Sequence, residues 1–117
     1  MGELGIDLTL SLPYFTPFTL FKLETTITNP GDAIQAQEYI LLDVYGNYWF
    51  WPSWNQTGDF ELRNLQAMSV TNDVILEFWW PAVSGSAENL KFWAALVDPE
   101  TVTIVGAYDM VEFGYGS

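Results

Sequence analysis

Along nearly all of this chain, apolar side chains recur at every second residue, which is the repeat of a β-strand with one face buried. In GIDLTLSL (5–12), Ile6, Leu8, Leu10 and Leu12 alternate with Asp7, Thr9 and Ser11. In TLFKLETTIT (19–28), Phe21, Leu23 and Ile27 stand opposite Lys22, Glu24 and Thr26. Further strands are expected at 36–45, 48–51, 60–65, 73–80, 90–97 and 102–113, the last bent near Gly106. The breaks between them carry turn chemistry: Pro13 and Pro17, NPGD (29–32), Gly46-Asn47, Pro52 with WNQTGD (54–59), Pro81 with SGSAEN (84–89), and DPET (98–101). Helical spacing occurs only in ELRNLQAM (61–68), where a helix stays open as an alternative.

Seven or eight short strands with regular turns predict an all-β fold, an antiparallel β-sandwich. At 117 residues, one domain spans 1–117. A membrane barrel of eight strands would need spans of about 9–11 residues, and mixed-charge strands such as FKLET suit it badly. No apolar run approaches the roughly 18 residues of a membrane helix, so membrane insertion is not expected. Met1-Gly2-Glu3-Leu4 lacks the basic and apolar regions of a signal peptide, so an export signal is not expected within this sequence.

Fifteen acidic residues against three basic ones give a formal charge of −12. Such a surface repels phosphates and anionic lipid, which makes nucleic acid the least suitable partner. A solubilising surface, a divalent cation or a basic partner fits the charge better. With no histidine and no cysteine, a Ser-His-Asp triad, thiol catalysis and zinc-thiolate sites are all excluded. Paired carboxylates alone could cleave a glycoside only in a deep cleft, which a sandwich of this size seldom offers, so no enzyme activity is expected. Calcium would find oxygen ligands at Asp98 and Glu100 in DPET, at Asp32 with Asn29 in NPGD, or at Asn72-Asp73, although none shows a spaced D-x-D-x-D pattern. Asp and Asn at turns ordinarily cap the local backbone instead. Asn55-Gln56-Thr57 has the form of a glycosylation sequon and also reads as a plain polar loop.

Several stretches share features with one group of domains. TTITNPGD (25–32), LLDVYGNYWFWPSW (41–54), FWWP (78–81), FWAALVDPETVTIVG (92–106) and YDMVEFGYG (108–116) resemble bacterial immunoglobulin-like and CARDB-type (cell-adhesion-related) domains. The resemblance covers roughly residues 25–116. It implies an immunoglobulin-like sandwich acting as an extracellular or cell-surface accessory module, with no catalytic residues to carry over.

In such a sandwich, 36–45 and 90–97 would be neighbours in one sheet. If Ile40, Leu42, Val44, Phe92 and Leu96 face the core, the outer face carries Tyr39, Leu41, Tyr45, Trp93 and Val97. That is more apolar surface than a soluble monomer usually leaves uncovered. The expected binding surface is Tyr39, Tyr45, Trp49, Trp51, Trp54 and Trp93. Self-burial by the 48–60 segment, a protein or self-association interface, and a polysaccharide are the three ways of covering it. Within FWW (78–80), Phe78 and Trp80 are expected inside and Trp79 outside. The terminal strands, 5–12 and 107–116, are expected at sheet edges, where strand-mediated self-assembly is a further option, guarded by Asp7, Asp109 and Glu112.

Overall fold

The computed structural model describes residues 3–117. Nine strands follow one another: β1 (Gly5–Leu10), β2 (Tyr14–Phe15), β3 (Leu20–Asn29), β4 (Ile34–Val44), β5 (Asn47–Phe50), β6 (Glu61–Leu65), β7 (Ser69–Trp79), β8 (Ala87–Val97) and β9 (Asp109–Tyr115). One sheet has the order β1-β3-β7 and the other β2-β9-β8-β4-β5, with β6 also paired to β4. All pairs are antiparallel except the short β2–β9 contact. This is the antiparallel β-sandwich expected from the period-two pattern, with the immunoglobulin-like character that the resemblance implied.

Alternation along β3 sets one wall of the core. Phe21, Leu23, Thr25, Ile27 and Asn29 are buried, and the residues between them are half-exposed. From the facing sheet come Ala36 and Ile40 of β4 and Leu90, Phe92, Ala94 and Leu96 of β8, all buried. One half of the interior is almost wholly aromatic. Phe21 lies 4.8 Å from both Phe15 and Phe78, Phe92 stacks on Phe113 at 5.2 Å, and Trp80 packs between Phe15 and Tyr115. Aromatic pairs at these separations contribute beyond the area they bury.

Residues 61–65 form the expected strand, with Arg63 and Leu65 pointing inward and Leu62 and Asn64 outward along β4, and the helical alternative falls away. Three local readings change in the structure. The β4–β5 turn is centred on Tyr45-Gly46, one residue earlier than Gly46-Asn47, with both central residues at positive φ (52° and 88°) as a type I′ hairpin requires. The Tyr14–Phe15 pair, read as a break, forms β2 and buries Phe15.

The expected 102–113 strand is also divided. Its first part stays beside β8 only through Val97–Ile104 and the Val105 N–H to Leu96 carbonyl bond, then crosses to the other sheet. There Ala107 exchanges backbone bonds with Leu4 and Ile6 of the β1 segment, at 2.9 and 3.1 Å. Gly106 makes this crossing feasible. Its φ is +71°, and a Cβ there would sit 1.8 Å from the Leu4 carbonyl oxygen. Gly106→Ala is therefore expected to lower stability by about 2 kcal/mol or more, read as a shift of the urea midpoint with the m-value unchanged.

Candidate binding surfaces

The β4–β8 register sorts the central side chains. Tyr39 faces Ala95, Leu41 faces Trp93 and Gln37 faces Val97 on the outer side, while Ile40 meets Ala94 and Leu42 meets Phe92 on the inner side. The outer face then widens across the sheet. Leu62 of β6 lies opposite Gln37, and Met110 of β9 opposite Trp93. Phe60 packs on Tyr39 at 5.1 Å. Tyr39, Leu41, Ala95 and Val97 line a shallow hollow of about 250 Å³ with Val102 and Ile104 from the segment after β8. Val102 is 70% and Ile104 56% exposed. The Trp93 indole is oriented by a 3.2 Å bond from its Nε1 to Asp43, whose other oxygen accepts the Gly46 N–H.

The six aromatic residues singled out from the sequence do not form one surface. Tyr39 and Trp93 lie on the outer face. Tyr45 is at the hairpin tip, 65% exposed, donating its hydroxyl to the Glu88 carbonyl at 2.6 Å. Trp49 and Trp54 turn to the other side of the sheet and, with Leu42, Val44 and Leu76, line an apolar groove of about 390 Å³ between the sheets. Trp51 packs against the core, as does Trp54, which meets Phe92 edge-on at 6.2 Å. Part of the aromatic hairpin is thus buried by its own domain. Trp79 is exposed on the three-stranded sheet and Trp80 packs against the core, as expected, whereas Phe78, expected inside, stacks on Phe21 yet stays 39% exposed at the sheet edge.

The acidic turns are occupied with backbone capping. Asp98 Oδ1 accepts the N–H groups of Glu100 and Thr101. In the NPGD turn it is the buried Asn29 that organises the chain, donating to the carbonyls of Asp32 and Gln66 and accepting the Gly31 N–H. Among the described residues, no three carboxylates gather in a way that could hold a metal ion. Asn55 of the sequon accepts the N–H groups of Thr57 and Gly58.

One group escaped the sequence reading. Glu38 shares the inward side of β4 with Ile40 and is completely buried, and neither carboxylate oxygen has a hydrogen-bond partner. Arg63 Nη1 stands 3.5 Å from it, while Arg63 Nη2 bonds Asp73 of β7 at 2.6 Å. Glu61 lies 3.7 Å from the same guanidinium. The signal was present in the chain: Glu38 has the parity of Ile40 and Leu42, and Arg63 is the sole arginine. Burial pushes the Glu38 carboxyl up to about 7; Arg63 opposes that, and Asp73 and Glu61 add to it.

No family model matches the chain, and no curated protein matches it in sequence. Solved structures of similar shape include two from different organisms. The sporulation control protein Spo0M from Bacillus subtilis superposes over 100% of this chain with a TM-score of 0.61 at 9% identity. The chain spans about half of Spo0M, 51% of its length. The CARDB domain of a Pyrococcus furiosus protein, solved in complex with di-metal ions, aligns over 98% of this chain and 93% of its own with a TM-score of 0.49 at 15% identity. At 9% identity the likeness to Spo0M is one of fold.

Because the Glu38 value in the folded state lies above the free carboxylate's 4.5, folding takes up a proton between the two. The contribution is fully present below about pH 4.5 and is lost as pH rises through about 7, by up to roughly 3 kcal/mol. Urea titrations from pH 5 to 8 are expected to show stability falling with pH, and Glu38→Gln to flatten the slope. Arg63→Met, which leaves Glu38 and Asp73 unpaired, is expected to cost about 3–5 kcal/mol at pH 8 and less at pH 5.

Proposed function

We propose that this domain is a non-catalytic interaction module that docks onto protein through the outer face of its six-stranded sheet. The observation that carries the reading is the continuity of that face: Leu62, Tyr39, Leu41, Trp93, Val97 and Ile104 span β6, β4, β8 and the following segment. Apolar area of this extent is costly to leave in water, and Trp and Tyr lose few rotors when an interface covers them. The lack of histidine and cysteine in the chain favours a binding role over a catalytic one. The reading includes a location outside the cell or on its surface, in keeping with the resemblance of residues 25–116 to CARDB-type modules and with the acidic charge.

Light scattering after size exclusion, over a concentration series at moderate and high salt, tests the reading. The 13.3 kDa chain is expected to associate as salt screens its −12 charge. Ile104→Lys and Trp93→Ala are expected to weaken that association by about tenfold or more while the circular dichroism stays unchanged. A monomer at every concentration, combined with saturable quenching of tryptophan by a polysaccharide, would replace protein docking with carbohydrate binding.

A further inference from the structure

The sheets' free edges are not equivalent. The outer side of β1 is covered: its Ile6 N–H bonds Ala107, Leu8 N–H bonds the Asp109 carboxylate at 2.8 Å, and Leu4 receives the Ala107 N–H. Asp109 therefore guards β1 directly, so β1 is not the open edge expected from the sequence; β9 pairs with β8 on one side, and on the other only Gly114 and Tyr115 are covered, by β2. The longest unpartnered edge is β7, eleven residues whose backbone pairs only with β3. Its sequence, SVTNDVILEFW, contains neither the lysine nor the proline that ordinarily protects such an edge.

What lies beside β7 differs between its two halves. At Asp73 the ion pair with Arg63 of the opposite sheet closes the sandwich. Beyond Ile75 the register slips by one residue, Leu23 facing Leu76 while Glu24 faces Val74. Past that bulge the sandwich stays open, and Leu76 looks into the groove formed with Leu42, Val44, Trp49 and Trp54. A strand added along 74–79 would find backbone donors and acceptors at the edge and an apolar slot for every second side chain. On its other face it would meet Glu77, with Glu24 and Asp7 farther across the sheet and, among the described residues, Lys22 as the only cation of that face.

We propose that the β7 edge and the adjoining groove receive an extended segment of a partner protein in which large apolar side chains alternate with lysine or arginine. Charge decides between this occupant and a second copy of the chain. Two β7 strands paired across a twofold axis would bring the Glu77-bearing faces of two −12 molecules together, whereas a basic segment neutralises them. This surface is separate from the outer face of the six-stranded sheet, and the inference stands without that reading.

The test uses the whole chain and three probes: a ten-residue peptide alternating lysine with valine, its glutamate-for-lysine counterpart, and the lysine peptide N-methylated at alternate residues to block strand pairing. Tryptophan fluorescence and hydrogen exchange are the readouts. Saturable binding of the first peptide is expected, with the other two weaker by about tenfold or more and slowed exchange within 69–79. Val74→Lys, which puts a cation on an exposed edge position, and Trp49→Lys, which puts one in the groove, are expected to weaken binding by about tenfold or more, while Trp93→Ala leaves it unchanged. Equal binding of the N-methylated peptide would reduce the effect to charge attraction and overturn the proposal. So would no binding of the lysine peptide, protection in 91–104 instead of 69–79, or protection of 69–79 that grows with protein concentration alone and so identifies a second copy.

Discussion

The antiparallel pairing of β4 with β8 is the constraint on which the remaining architecture rests. Through it, Ile40 and Phe92 point into the core while Tyr39 and Trp93 point out. A slip of one residue would reverse every one of these assignments, because strand side chains alternate strictly. β5 and β6 attach to β4, and β9 attaches to β8, so each inherits its orientation from this pair. Both apolar surfaces follow from it: the outer face directly, and the inter-sheet groove through Leu42 and Val44 on the opposite side of the same strand.

The interior between the sheets is divided by chemistry. Around Phe15, Phe21, Phe92 and Phe113 it is a packed aromatic core. Around Glu38 it holds a fully buried carboxylate whose nearest cation, Arg63, stands 3.5 Å away. Apolar residues of similar volume would ordinarily be at least as stable there, so the ionic cluster does not owe its presence to stability alone. Its geometric effect is clear. Arg63 joins β6 of one sheet to Asp73 of the other and shuts one half of an otherwise open side, leaving the other half as the groove beside Leu76.

The concentration of aromatic residues in the 41–54 hairpin serves two ends. Trp51 and Trp54 bury much of their surface against the domain's own core, and Trp49 lines the groove wall. Tyr45 is held at the tip by its bond to Glu88. On the outer face, Tyr39, Leu41, Trp93 and Val97 are joined by Leu62, Val102, Ile104 and Met110, and none of these last four stands out as a binding residue when read along the chain.

The alternation in 5–12, 19–28, 36–45 and 90–97 was sufficient to specify strands, a sandwich and the inner and outer sides of the two central strands, because a period of two leaves each strand only one way to bury its apolar side. The absence of histidine and cysteine bounded the available chemistry in the same direct way. The pairing of distant segments was not legible. That Asp73 would meet Arg63, that Ala107 would cover β1, and that β7 would form the longest open edge all depend on which strand lies beside which, and neighbours in a sandwich are chosen by packing across the whole chain. Glu38 shows the same divide in one residue: its parity on β4 marked it as inward-facing, but only the closure of the second sheet over it removed it from water.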